Sequence, residues 1–245
     1  MKKITIITVV KNNKEGIEKT IKSVLSQTIA NKLEYIVVDS NSKDGTSKII
    51  SKYKKKLLHI RENDNGIYEG INKGIKKSNG KYIGLLHSGD QFFDKISLQK
   101  ALIEIEKFKL DAASFSMIYK NKGKIVRVWR MKINKISKFN FFKIAHPTLI
   151  VKKNIFKNNL YNTKYVISAD TEFLTRLIKI KNISFRSFDL LLQICQYGGI
   201  STSKRFLILK IKEDLSLLYK KFSYQSILIY VYKIFCKIPG FFSKK

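Results

Sequence analysis

The chain opens on an unbroken β-branched run, Ile4–Val10, the pattern of a parallel strand buried on both faces. Ile17, Ile21, Val24, Leu25 and Thr28 then recur at helical spacing. A second apolar run over residues 33–38 ends at Asp39, and the turn-rich SNSKDGT hands over to a helix carrying Ile49, Ile50 and Tyr53. Residues 57–60 form a third apolar segment ahead of the polar ENDNG. Ile67, Tyr68, Ile71 and Ile75 mark another helical face, and residues 82–86 read as a strand that stops at HSGD. Strand and helix alternating in this way predict an α/β fold with an open, mostly parallel, Rossmann-like sheet flanked by helices. Ligands of such sheets bind beyond the carboxyl ends of the strands, which places residues 11–13, 39–44 and 88–90 along one rim.

From residue 96 the order loosens. The pattern predicts a helix over 96–108, strands over 112–119 and 124–130, a short segment HPTLIV, a helix over 170–181 and a last strand over 183–193 running toward Gly198 and Gly199. This mixed half extends the sheet and is suited to receive a second substrate. The division is then residues 1–95, 96–202 and a tail, 203–245, with no repeat and no linker rich in Pro or Ser. The tail interleaves Phe206, Leu207, Leu209, Ile211, Leu215, Leu217 and Leu218 with lysines and continues into SILIYVYKIFCKIPGFF, predicting helices with a basic and an apolar side.

Charge narrows the partners without choosing among them. With 49 Lys and Arg against 18 Asp and Glu, the formal charge is +31, so nucleic acid, an acidic membrane surface and phosphorylated small molecules all compete. Two cysteines, Cys195 and Cys236, without a CxxC or Cys/His grouping, give no support to a zinc site or a disulfide scaffold and fit a reducing compartment. The first apolar run is broken at Lys11 and lacks a small-residue cleavage site, so it reads as a strand and not as a signal peptide. No apolar stretch reaches the ~18 residues that span a bilayer, which reads as a soluble or peripheral protein.

Several ordered motifs arbitrate: ITIITVVKNN, EYIVVDSNSKDGT, ENDNGIYEGINKG, GKYIGLLHSGDQFF, HPTLIVKK, SADTEFLTRL and YGGIS. Together they resemble family 2 glycosyltransferases of the GT-A fold, in particular the bacterial branch that builds surface polysaccharide, over residues 1–202. The resemblance implies an inverting transferase that moves a hexose or N-acetylhexosamine from a UDP-sugar to a hydroxyl of an oligosaccharide carried on a polyprenyl diphosphate, in O-antigen or capsule synthesis.

It further implies site roles, each with a plainer reading beside it. Thr8, Val10, Asp39, Asp64, Asn72, Ser88 and Gly89 would contact the donor, Asp39 through the base or ribose, although an Asp there also caps the following turn. Asp44 fits such a cap outright. The family's metal triplet, Asp-x-Asp, stands here as Ser88, Gly89, Asp90, so Asp90 alone would hold Mn²⁺ or Mg²⁺, or else initiates the next helix. Asp170 would be the general base and Glu172 a second candidate, against ordinary helix capping. His146 would touch the donor phosphates, the metal or the acceptor, against the structural role usual for a lone histidine. His87 stands where the family commonly has Asn or Asp and would line the pocket, and Arg176 would pair with an acid on its own helix. The tail would rest on the anionic inner face of the cytoplasmic membrane, or pack on the body of the enzyme.

Two alternatives stay open. A nucleotidyltransferase lacks support because no Gly-rich phosphate loop follows the first strand. A nucleic-acid-binding protein accounts for the charge, but no recognition signature appears and strand-end acids repel phosphate, so no nucleic acid is expected.

Overall fold

The computed structural model describes residues 2–198 and 204–237. The expectations for Gly199 within YGGIS and for the end of the tail lie outside the described residues. In chain order the elements are β1 (Ile4–Val10), α1 (Lys14–Leu25), β2 (Leu33–Asp39), α2 (Thr46–Ser51), β3 (Leu58–Arg61), α3 (Ile67–Lys77), β4 (Tyr82–Leu85) and β5 (Gln91–Phe92). They continue with α4 (Ser97–Lys107), β6 (Ala112–Asn121), β7 (Lys124–Trp129), β8 (Ile150–Lys152), α5 (Ala169–Leu177), β9 (Phe185–Gln196), α6 (Lys204–Phe222) and α7 (Ser226–Lys237).

β1 is buried along its whole length, and its alternation feeds two cores. Ile7 and Val9 pack with Ile71 and Ile75 of α3, while Ile4, Ile6 and Val10 pack with Ile17, Ile21 and Val24 of α1. Helix α3 lies close on the strand because Gly70 and Gly74 face it one turn apart. A Cβ at these positions would sit 2.7 Å from a Val9 methyl and 2.6 Å from an Ile7 methyl. The glycines of EGINKG therefore set the distance between helix and sheet.

The sheet order is β3-β2-β1-β4-β8-β6-β9-β5, with β7 paired to β6. β1 to β4 are mutually parallel, and register aligns Val10 with Asp39 and Asp39 with Arg61, so these loops leave from one level. β8 runs antiparallel to both β4 and β6 and joins the two halves into one continuous sheet across residue 95. The last strand starts at Phe185 and reaches Gln196, beyond the predicted 193, because it pairs with β6 as far as Lys120. Helix α5 ends at Leu177, short of the predicted 181, where Lys179 and Ile180 turn back onto Arg176 and Leu177 carbonyls.

The tail helices dock on the body. Leu217, Leu218 and Ile229 are buried in the same core as Phe141, Phe142 and Phe173, Phe222 stacks on Phe141, and Tyr232 meets Phe142 edge-on. Among the described residues no helix is long and apolar enough to cross a membrane.

Candidate active site

The rim is built first by backbone capping. Asn13 caps α1 by accepting from the Gly16 N–H, and its amide donates to the carbonyl and hydroxyl oxygens of Ser88. Gly16 allows the approach, since a Cβ there would lie 2.9 Å from the Gly89 Cα. Gly89 itself sits at φ +101°, a left-handed conformation natural to glycine, and its N–H donates to the Thr20 hydroxyl. Asp44 accepts from the Thr46 and Lys14 N–H groups, and so caps α2 while tying its start to α1. The HSGD turn and the SNSKDGT loop are thus held side by side.

The implied donor contacts divide in two. Four of the seven side chains turn inward. Asp39 is 0% exposed, accepts from the Ser42 N–H and the Ser47 hydroxyl, and lies 3.7 Å from His59. Through these bonds it holds its own loop. Thr8 is buried, donating to the Leu86 carbonyl beside the Tyr35 hydroxyl, and the Val10 side chain is core. Asn72 spends both ends of its amide on the Tyr161 backbone and clamps α3 to the acceptor-side segment.

Ser88 and Gly89 stay on the partly exposed rim, and so does Asp64. One Asp64 oxygen accepts from the Ser40 hydroxyl at 2.8 Å, and the other is without a hydrogen-bond partner among the described residues.

Asp90 is 8% exposed, and its Oδ1 accepts from the Gln196 N–H at 2.8 Å, joining the HSGD turn to the end of β9. Burial pushes its carboxyl up to about 7, eased by that hydrogen bond. The thiol of Cys195 lies beside it and is itself pushed up by burial and by the neighbouring acid. Among the described residues no three His, Cys, Asp or Glu side chains gather as a metal cluster.

Asp170 and His146 meet at 2.8 Å, Oδ2 to Nδ1, although they come from different elements. His146 opens a short 3-10 turn, His146–Thr148, which is fixed because the Thr148 hydroxyl donates to the Phe115 carbonyl and accepts from its N–H. Burial would raise the Asp170 carboxyl, but the His146 charge and hydrogen bond, and the Lys210 ammonium, hold it well below the usual carboxylate range. His87 of the HSGD turn feels both partners: burial and His146 push it down to about 4, against the pull of Asp170. Through His87 the HSGD turn is electrostatically coupled to both His146 and Asp170.

Glu172 is committed elsewhere. It is buried, bonded to Arg176 at 2.9 Å and near Lys221 at 3.8 Å, so it is no free base. Arg176 makes the same-helix pair expected of it and also donates to Asn159 and the Leu160 carbonyl. The sequence reading placed Asn13 on the rim without its bond to Ser88, and missed Gln196 and Tyr68, the last donating from α3 to the Ile167 carbonyl just ahead of Asp170. It also missed Glu213, although Glu213 and Asp214 are the only acids in the basic tail.

A parallel sheet with capped strand-end loops, continued by a mixed half that returns a carboxylate to the same rim, is the GT-A class of transferase fold. The chain belongs to glycosyl transferase family 2, which it matches over residues 5–169. A Staphylococcus aureus TarS structure (1-349) in complex with UDP-GlcNAc superposes with a TM-score of 0.75 at 18% identity, covering 99% of this chain and 76% of that one. A mannosyltransferase from Pyrobaculum calidifontis, in complex with GDP-Man and Mn²⁺, gives 0.62 at 18% identity, over 88% and 62%. At such identity both speak for the fold alone.

Among curated relatives, an uncharacterized glycosyltransferase of Rickettsia conorii is 32% identical over 166 residues, which are 65% of this chain and 27% of that protein. The match thus spans about a quarter of that relative's length. An Escherichia coli UDP-Glc:alpha-D-GlcNAc-diphosphoundecaprenol beta-1,3-glucosyltransferase is 33% identical over 164 residues, 64% of either chain.

Proposed function

We propose that this chain is an inverting glycosyltransferase that moves a hexose or N-acetylhexosamine from a UDP-sugar to a hydroxyl of a lipid-linked oligosaccharide in surface-polysaccharide synthesis. The observation that carries it is the ionised, nearly buried Asp170 held by His146 next to the HSGD turn. In the reaction the acceptor oxygen attacks the anomeric carbon as the bond from that carbon to the diphosphate oxygen breaks. UDP departs with the electron pair, and the hydroxyl proton passes to Asp170. His146, donating through Nδ1, orients the carboxylate and keeps it charged. On the donor side, Asp64, Ser88 and Gly89 are the partly exposed candidates for the nucleotide, and the buried Oδ2 of Asp64 has no hydrogen-bond partner among the described residues.

Asp90 fits a divalent ion as a single-carboxylate ligand. Its Oδ1 takes one backbone bond, and a carboxyl pushed up to about 7 gains from a nearby cation. With so few protein ligands, the remaining positions fall to diphosphate oxygens and water, as Mg²⁺ accepts. Bound Mn²⁺ or Mg²⁺ would neutralise charge on the leaving diphosphate.

The tail supports work at an anionic membrane surface, on the inner face if the acceptor is polyprenyl-linked. Leu207, Ile208, Ile211, Leu215 and Tyr219 on α6, with Ile227, Leu228, Val231 and Tyr232 on α7, are exposed large apolar side chains beside the exposed Lys212 and Lys220. The E. coli relative's diphosphoundecaprenol acceptor is of the same kind.

The test is release of UDP from a panel of UDP-sugars with and without Mn²⁺, beside salt-dependent retention on heparin. Metal-stimulated UDP release supports the reading. Tight, salt-sensitive DNA binding without turnover would overturn it.

A further inference from the structure

We infer that Glu213, on the tail helix α6, is a positioning residue that holds the loop presenting Asp170, so that the tail is part of the catalytic apparatus. The inference rests on the transferase reading for its meaning but not for its geometry.

Three consecutive backbone N–H groups, of Val166, Ile167 and Ser168, donate to the Glu213 carboxylate at 2.8, 3.0 and 2.9 Å. These residues lead directly into α5, whose N-cap, Ser168, makes no side-chain capping bond. Its hydroxyl oxygen is buried without a hydrogen-bond partner among the described residues. A helix start needs acceptors for its first N–H groups and favours negative charge. Here the acceptor comes from a helix some 45 residues further along the chain. The loop is gripped from the other side as well, where the Tyr68 hydroxyl of α3 donates to the Ile167 carbonyl at 2.7 Å. Asp170 follows two residues after Ser168 and has little room to adjust, at 7% exposure.

The rest of α6 shares the task. Lys210, nearly one turn before Glu213, helps to hold the Asp170 carboxyl ionised. Leu217 and Leu218 enter the core with Phe173 and Leu174 of α5, and Lys221 reaches Glu172. Positions 210, 213, 217 and 221 recur every three to four residues, so they form one stripe of the helix turned toward α5. Two of the lysines that the sequence assigns to lipid headgroups therefore serve the site instead.

The test uses the full chain with Glu213→Ala and Glu213→Gln. Hydrogen exchange of residues 166–168, which needs no substrate, is expected to quicken at least about tenfold in Glu213→Ala while the central strands keep their protection. With UDP-glucose, kcat is expected to fall at least about tenfold, while calorimetric affinity for UDP with Mn²⁺ stays within about twofold. Glu213→Gln, which keeps an acceptor oxygen but not the charge, should fall between. Unchanged exchange and unchanged kcat would overturn the inference, as would a uniform rise in exchange with parallel loss of UDP affinity, since that is general destabilisation. If the wild type turns over no UDP-sugar, the transferase reading fails, and the exchange result still decides whether Glu213 holds the loop.

Discussion

His146 Nδ1 and Asp170 Oδ2 stand 2.8 Å apart, the histidine 42% exposed and the carboxylate 9%, so the acid is reached past its partner. Asp170→Asn removes the charge while keeping the size. It is expected to lower kcat by about 10² to 10⁴ with UDP affinity little changed. Loss of UDP binding measured by calorimetry would show instead that Asp170 is structural.

The same pair sets a pH signature. A carboxyl depressed on folding contributes stability above its unfolded value near pH 3.8, and this is lost as pH falls through the folded value. Asp170 should thus stay ionised throughout the neutral and mildly acid range. With donor and metal saturating, kcat is expected to show no acid limb from this group down to about pH 5. An acid limb above about pH 5 would show instead that the carboxyl is not held ionised.

Asp90 has the opposite sign. Its folded carboxyl is raised to about 7 from 3.8, so the native state binds the extra proton between these values and loses stability as pH rises through them. In EDTA, Asp90→Asn should be more stable than wild type at pH 8 by about 4 kcal/mol, and the advantage should shrink toward pH 4. Adding Mn²⁺ with UDP should raise the wild-type melting temperature and leave that of the variant unmoved. Urea and thermal unfolding at the two pH values decide.

Asn72→Ala tests the inward-turned assignment. With both Tyr161 backbone groups left unpaired in a buried setting, unfolding free energy should drop by about 2 kcal/mol or more. UDP affinity should hold. A selective loss of UDP binding at unchanged stability would return Asn72 to the donor.

Replacing Ile208 and Leu228 together by Glu should abolish sedimentation with vesicles containing phosphatidylglycerol while leaving the circular-dichroism spectrum and melting temperature intact. Both side chains are well exposed, at 65% and 73%, so folding does not depend on them. Undiminished vesicle binding would dismiss this face as the lipid contact.

The alternating half of the fold was legible because β1 and β2 are apolar runs and α3 carries a helical period, and register then places the strand ends at one rim. What a strand-end position does not convey is direction. Asp39 lies on the same face of β2 as Tyr35 and Val37, and this alternation buries it against Ser47 of α2. Asn72 sits beside Ile71 on the buried face of α3 for a similar reason. Asp90, Asp170 and His146 could be named from their motifs, but Gln196, which bonds Asp90, Lys210, which acts on Asp170, and Glu213, which binds the loop ahead of it, come from strands and helices distant in sequence. The tail left two placements open, because a mixture of lysines and apolar residues reads as an amphipathic helix whichever side faces inward.

Helix α6 has two working sides, one gripping residues 166–168 and the other showing an apolar stripe outward. If both proposals hold, a generic membrane tether grafted in its place would bring the enzyme to the lipid and leave it idle, because the same nineteen residues would carry location and competence together.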